Sequence, residues 1–496
     1  MDHTWIKWGA KVDTKKSKRF LLTLAALYWA LVIIVYLAAG QQFHRTVVTG
    51  DSLSPQSIIG EIVDGWEITQ KLKAPAAQII SIDVMGTDFG RTTNTGILNM
   101  SLKNEQGEEV AHGSVSIDRF ENNKYVTLPL EQVGEIHKDE DLILHLTAQD
   151  CMPGSSISIY FGNTITTGRF DIAQQISTDE LYAVNTALGA GMLCARLNGV
   201  QELSFYKTYW VIVVGIFAAA ALYATWGYQA GKKGKNNLVV ALCMLHCKYG
   251  FLLKQLVSRD FKTKYKRSVL GVAWSFLNPL ITMAVQYIVF STLFKGDIPN
   301  YPVYLLTGVV FFNFFTEATS MGMTAITSNA ALIKKVYMPK YIYPFSRLCS
   351  SLINLGMALL PLFMVMMVTG TPFSASLLLL IFDILCMLGF VLGMMMLLST
   401  AMTFFQDTQF LWGVVSMMWM YLTPVFYSDS IIPKNLLMYY HMNPMYQYIT
   451  FARICIIDGV SPEPMAYLWC VLSSVIVLAL GIFVFKKNQD KFVMHL

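Results

Sequence analysis

The chain has 496 residues, 54% of them hydrophobic and only 14% charged, with a formal net charge of +5. A charged share so far below the roughly 25% of soluble domains argues against an ordinary soluble enzyme. The charge is also unevenly placed: residues 41–205 hold 10 Lys and Arg against 21 Asp and Glu, and the remainder holds 27 against 11. An acidic polar block is therefore inserted in a basic, apolar chain. The basic residues flank apolar runs, as the positive-inside rule requires, so nucleic acid is not an expected partner.

Eight apolar runs are long enough to span a bilayer as helices. They are Leu21–Ala39, Trp210–Tyr228, Leu277–Leu293, Val303–Ile326, Leu348–Val368, Ser376–Met402, Phe410–Phe426 and Ala466–Phe485. Glu317 and Asp383 alone interrupt the fourth and sixth. The first run is too long for a secretory signal and is expected to remain as an anchor. Threading eight spans puts four basic clusters on one side, the cytoplasmic one. These are Lys11 to Arg19, Lys232 to Lys235, Lys334 to Lys340, and Lys486 to Lys491. Both termini are then cytoplasmic and residues 41–207 extracytoplasmic.

The acidic block reads as seven or eight short strands. Ile79–Val84, Ile97–Leu102, Tyr125–Leu128, Leu142–Leu146 and Ser156–Phe161 are separated by turn residues such as Asn94-Thr95-Gly96 and Pro153-Gly154. That spacing predicts a β-sandwich, loosely similar to the jelly-roll modules of bacterial envelope proteins. Trp66, Phe89 and Tyr125 are candidate glycan contacts, with burial in the core as the alternative for each. Residues 171–205 carry Ala and Leu at helical spacing and predict a helical connector back to the membrane. Cys151 and Cys194 alone fall in this block, where a disulfide or two unpaired thiols both fit.

After the second span, Leu256–Trp274 reads as one basic amphipathic helix lying in the membrane interface. Val257, Phe261, Tyr265, Val269 and Val272 form its apolar stripe, and Arg259, Lys262, Lys264, Lys266 and Arg267 its cations. Asn278-Pro279 then looks like the capped start of the third span. Further on, Asn329 is placed to cap a helix of about two turns that Pro339 ends. A helix so short between two spans suits a lever docked on a soluble partner. Glu317 and Asp383 should face protein or a water-filled path, because ionised groups facing lipid are costly. Arg347, at the start of a span, fits snorkelling or an ion pair. Trp412 and Trp419 lie seven apart on one helix face, whereas Tyr421 falls elsewhere.

The run Arg259-Asp260-Phe261-Lys262-Thr263-Lys264-Tyr265-Lys266-Arg267-Ser268-Val269-Leu270-Gly271 through Trp274-Ser275-Phe276-Leu277-Asn278-Pro279 resembles the opening of ABC-2-type permeases that export O-antigen and teichoic-acid polysaccharides. Asn329 to Lys340, Phe405-Gln406-Asp407 and Leu422-Thr423-Pro424-Val425-Phe426-Tyr427 match in the same order. The resemblance covers about residues 250–496 and implies a six-span core. It implies a coupling helix at 329–338 that contacts an ATPase through Asn329, Leu332, Lys334, Lys335, Tyr337, Met338, Pro339 and Lys340. It further implies a re-entrant exit segment at 428–465, with Phe426, Tyr427 and Arg453 at the exit. Gln406 replaces the Arg usual in the family's Arg-Asp pair.

The fold class expected is thus a polytopic α-helical membrane protein, two N-terminal spans plus a six-span core, with an inserted all-β sandwich. Its parts are a basic flank and first span (1–40), the sandwich with its connector (41–207), and a second span (208–235). Interface helices (236–276) and the permease core (277–496) follow. The implied function is the transmembrane subunit of an exporter of undecaprenyl-diphosphate-linked polysaccharide. It would work as a homodimer with two copies of a separate ABC ATPase, in contact with membrane lipids. No phosphate-binding loop or metal-ligand spacing occurs in the sequence, so ATP and Mg2+ are expected in the partner and no cofactor in this chain. Arg259, Lys262, Lys264, Tyr265, Lys266 and Arg267 are candidates to meet the diphosphate or lipid headgroups. Glu317, Asp383, Trp412, Trp419 and Tyr421 are candidates for the channel. An ABC-2 exporter of a small lipid or drug, and an anchored glycan-binding protein that transports nothing, stay open as alternatives.

Overall fold

The computed structural model describes residues 14–39, 45–50, 55–91, 94–162, 170–174, 192–202, 205–233, 237–265, 271, 273–294, 300–335, 338–427 and 437–496. The chain divides into two compact units, Met1–Phe43 with Phe205–Leu496, and His44–Ser204.

The inserted unit is all β. In chain order its strands are β1 (Arg45–Thr49), β2 (Ser57–Ile58), β3 (Trp66–Lys73), β4 (Gln78–Thr87), β5 (Ile97–Lys103), β6 (Glu109–Ser116) and β7 (Lys124–Pro129). They continue with β8 (Glu131–Gln132), β9 (Asp141–Gln149), β10 (Ser158–Gly162), β11 (Phe170–Gln174), β12 (Met192–Leu193) and β13 (Ala195–Glu202). One sheet runs β1-β13-β4-β10-β12, with β2 on β10 and β7 on β4; the other runs β11-β3-β9-β5-β6-β8. Alternation sets the inner faces. Leu142, Leu144 and Leu146 of β9 point inward with Leu98 and Leu102 of β5, and meet Ile82, Val84, Leu128, Ile159 and Leu197 of the other sheet in one core. The expected sandwich is present. The helical connector expected over 171–205 is not: residues 171–174 belong to β11 and residues 192–193 and 195–202 to β12 and β13, and β13 pairs with both β1 and β4. Ala195 and Leu197 alternate with Arg196 and Asn198, a period of two that outweighs the Ala and Leu spacing. The rest of that predicted helix, 175–191, lies outside the described residues. Cys151 and Cys194 are two buried free thiols.

The other unit is helical. Its elements are α1 (Thr14–Ala39), α2 (Phe205–Lys232), α3 (Leu238–Cys247), α4 (Gly250–Tyr265), α5 (Ala273–Phe294), α6 (Tyr301–Met323) and α7 (Ala330–Lys335). Then come α8 (Ile342–Val368), α9 (Leu380–Phe404), α10 (Thr408–Leu422), α11 (Leu437–His441), α12 (Pro444–Arg453), α13 (Pro464–Asn488) and α14 (Phe492–His495). Among the described residues, six helices are long and apolar enough to cross a membrane: α1, α2, α6, α8, α9 and α13. The other two expected spans fall short of that test. The apolar stretch in α5 is Phe276–Phe290, and α10 has 15 residues, about 22 Å at 1.5 Å per residue. Thr423-Pro424 stops α10 early, because the residue before a proline is pushed out of the helical region.

Three other boundaries differ from expectation. The predicted interface helix is divided: α4 ends at Tyr265 and α5 begins at Ala273, so Val269 and Val272 fall outside the described residues. Asn278-Pro279 does not start a helix, since Pro279 is internal to α5. Membrane helices tolerate such prolines because neighbouring groups satisfy the freed carbonyl. Asn329 ends a 3-10 turn, Thr327–Asn329, and its side chain points back rather than capping α7. Close packing of α9 on α13 explains two glycines. A Cβ on Gly393 would lie 2.4 Å from the Val477 carbonyl oxygen, and one on Gly481 2.4 Å from the Gly393 oxygen. Small residues let membrane helices approach this closely.

Candidate functional site

The helical unit concentrates its charge where α4, the 327–335 segment and α8 meet. Leu256 and Asp260 lie one turn apart on the inward face of α4, so the stripe that buries Leu256 also buries a carboxylate. Only 3% of the Asp260 side chain is exposed. The Arg259 guanidinium lies 3.1 Å from one carboxylate oxygen, and Arg347 of α8 lies 3.1 Å from the other. An ionised carboxylate persists inside only when paired. Arg259 also donates to Asn329 Oδ1 at 3.2 Å, Asn329 Nδ2 donates to the Ala325 carbonyl at 2.8 Å, and Arg347 donates to Ser328 Oγ at 3.3 Å. One acid and two guanidinium groups thus clasp α4, the turn after α6, and α8.

The expected coupling residues divide into two groups. Lys334 and Lys335 are exposed on α7, with Leu332, Met338 and Pro339 half-buried. Lys340 instead turns inward, donating to the Gln489 carbonyl with its ammonium 5.8 Å above the Phe492 ring. Burial lowers its pKa below the ordinary lysine value, and Asp490 offsets this in part. Tyr337, Lys266 and Arg267 lie outside the described residues, and Tyr265 closes α4. Lys262 is exposed on α4.

Glu317 of α6 does not face lipid alone. Lys264 of α4 lies 2.7 Å from its Oε1, and Asn354 Nδ2 of α8 donates to the same oxygen at 2.7 Å. The pair borders a cavity of about 280 Å³ that also takes in Trp274, Asn278 and Asn313. Asp383 is fully buried in the first turn of α9, with Cys470 Sγ 4.0 Å away. Trp412 and Trp419 do share a face, their rings 6.4 Å apart, but both pack against Phe315 within the core. Trp419 Nε1 donates to Asn443 at 2.8 Å. Tyr421 alone of these aromatics is exposed.

At the far end of α6 the predicted exit residues come together. Arg453 is buried, 3.4 Å above the Tyr304 ring, and donates to the carbonyls of Pro424 at 2.7 Å, Val425 at 2.9 Å and Tyr304 at 3.3 Å. Tyr301 and Tyr304 donate to the carbonyls of Phe426 and Tyr427, each at 2.8 Å. Gly308 leaves room for the guanidinium, since a Cβ there would lie 2.7 Å from Arg453 Nη2. Residues 437–458 are two short helices followed by a π turn, none long enough to span. In the β unit, Trp66 is core at 7% exposure, the alternative held open for it. Phe89 is exposed at a left-handed backbone position (φ 55°) with Arg91 4.9 Å over its ring. Tyr125 carries the Arg196 guanidinium 4.4 Å over its face, and Arg196 pairs with the buried Asp83 at 2.9 Å.

Residues 251–457 match the ABC-2 type transporter family over the same helices that hold the clasp and the exit turn. Over this stretch the chain is similar to ABC-2 type transporters. The O-antigen export system permease protein RfbA of Klebsiella pneumoniae is 27% identical over 246 residues, 49% of this chain and 93% of that protein. Its namesake in Myxococcus xanthus is 28% identical over 249 residues, 49% and 95% of the two chains. The polysialic acid transport protein KpsM of Escherichia coli is 20% identical over 248 residues, 48% and 93%. Within the matched stretch, sequence reasoning passed over Asp260, Asn313 and Asn354. An acid in phase with Leu256 on an apolar stripe was a readable signal for the first; its partner Arg347, 87 positions away, was not.

Proposed function

We propose that this chain is the permease subunit of an ATP-driven exporter that moves polysaccharide on an undecaprenyl-diphosphate carrier, of O-antigen or teichoic-acid type, across the bacterial cytoplasmic membrane. Two copies work with two copies of a separate ABC ATPase, which supplies the ATP and Mg2+ chemistry. Eight spans are threaded with both termini cytoplasmic, so that residues 41–207 are extracytoplasmic. The α7 region is the coupling segment, with Lys334 and Lys335 turned to the ATPase.

The observation that carries this reading is the clasp on Asp260. It ties the short segment after α6 to α4 through charge-assisted bonds, which are roughly twice as strong as neutral ones. Movement of that segment is therefore passed to α4 and α8 as a unit. At the other end of α6, Arg453 fastens the Thr423–Tyr427 turn to the same helix. Both ends of the path are mechanically joined through α6. The relatives' names, O-antigen export and polysialic acid transport, point to polysaccharide as cargo. Deleting the chain is expected to strip the cell surface of its polysaccharide and accumulate lipid-linked glycan inside, with recovery on re-expression. Unchanged surface glycan in the deletion strain would overturn the assignment.

A further inference from the structure

The cavity beside Glu317 sets polar side chains among apolar ones, Pro279, Val310, Phe314, Leu355 and Ala358. Its wall brings together Lys264 at the end of α4, Trp274 and Asn278 of α5, Asn313 and Glu317 of α6, and Asn354 of α8. Asn278 and Asn313 are exposed, and Trp274 is 47% exposed. Carboxamides turned to hydrocarbon lose their hydrogen bonds to water with nothing in return, so this face does not rest against lipid. Water or a polar ligand suits it. Glu317 lies six residues before the end of α6, about 9 Å along the axis, on the side of the clasp and the 327–335 segment.

The donor set selects the ligand. An anionic diphosphate is a poor match, because Glu317 sits 2.7 Å from Lys264 and cancels its charge while presenting a carboxylate that repels phosphate. A metal ion is a poor match as well, with one carboxylate present. Hydroxyl groups both donate and accept, and Asn carboxamides together with a carboxylate and an ammonium offer both complements. Trp274 adds an apolar ring face of the kind that packs on the C–H face of a sugar. At about 280 Å³ the cavity lies just under the roughly 300–1,000 Å³ of drug-sized sites, which suits a single sugar ring and its water.

We infer that this cavity is a sugar-binding station, in which Asn278, Asn313, Asn354 and Glu317 bond the hydroxyls of one ring of the exported glycan and Trp274 packs on its face. Lys264 orients Glu317 and does not bind the diphosphate. The inference rests on the polysaccharide-export reading and adds to it the place and chemistry of the contact.

The test is cysteine protection in intact cells. Asn313→Cys is introduced into the full chain, and its labelling by a membrane-permeant maleimide is compared with that of the parent, whose own cysteines give the background. Ala358→Cys, on the α8 wall of the same cavity, repeats the test should the first variant be poorly made. Labelling should be at least threefold slower in cells that make the polysaccharide than in cells blocked before its first sugar, and Trp274→Ala should remove the protection. Asn313→Leu should lower export about tenfold at normal membrane abundance. Equal labelling in both strains would overturn the station while leaving the exporter reading intact. Protection by inorganic pyrophosphate in membrane vesicles, with none from glycan, would overturn the sugar assignment. Unchanged surface glycan on deletion of the chain would overturn the exporter reading and the station together.

Discussion

The two units of this chain expose different things. In the β unit, Ile82, Leu128, Leu142 and Leu144 are wholly inside, and ion pairs such as Lys71 with Asp141 lie on the surface. In the helical unit, Leu22, Leu37, Val211 and Leu222 are each about 70% exposed, while Asp260 and Arg453 are inside. The first pattern is that of a domain folded in water. The second is stable only where hydrocarbon replaces water and leaves no hydrophobic drive between helices, so packing and polar bonds hold it together. The lesson is that the units should fail for different reasons when altered.

The largest effect is expected where a charge is left stranded. Asp260→Ala leaves the largely buried Arg347 unpaired and should cost about 3–5 kcal/mol, read as a drop in the melting temperature of the full chain in detergent. A change under 1 kcal/mol would break the claim that the helical unit depends on that pair. In the β unit the corresponding loss is apolar: Leu144→Ala, wholly buried, should cost about 2–5 kcal/mol, seen as faster hydrogen exchange across β3, β5 and β9. Helices that touch through backbone should resist added volume. Gly393→Ala, meeting Val477 at 2.4 Å, is expected to cost about 1–3 kcal/mol by the same melting assay, with no effect on exchange in the β unit.

A smaller effect separates the units by pH. Burial pushes the Glu61 carboxyl up, but Arg91 at 2.5 Å and the amides of Gly154 and Ser156 outweigh it and hold its pKa below the ordinary 4.5. A carboxylate lowered on folding contributes stability above its unfolded pKa and loses it as pH falls through the folded value. Glu61→Gln should therefore cost about 1 kcal/mol at neutral pH, and the gap from wild type should narrow as pH falls below the ordinary 4.5. A gap independent of pH would show the contact to be packing alone. At the bottom of the scale, Lys71→Ala, on a solvated surface, should leave the melting temperature unchanged.

Much of this contrast was legible in the sequence, for a physical reason. Span positions are sums over some twenty residues, so the positions of α1, α2, α6, α8, α9 and α13 tolerate errors at single residues. Strand alternation and turn residues likewise marked β4, β5, β7, β9 and β10. Local signals failed where a distant partner decided. The Ala and Leu of 192–202 took strand pairing offered by β1 and β4. Asn329 gave its side chain to Arg259 and to the preceding turn instead of capping α7. Trp412 and Trp419 were placed correctly on one face, but which face turns inward depended on Phe315. The Lys264–Glu317 pair joins residues 53 positions apart, which no local pattern announces.

The most direct test of the account is ATP hydrolysis by the complex isolated from its own membranes and placed in lipid nanodiscs, with and without lipid-linked glycan extracted from the same cells. The account predicts ATP hydrolysis that travels with the chain, rises on adding glycan, and loses that response in Lys334→Glu/Lys335→Glu while the β unit stays folded. A chain that isolates without ATPase activity, or whose associated activity ignores the glycan, would contradict it.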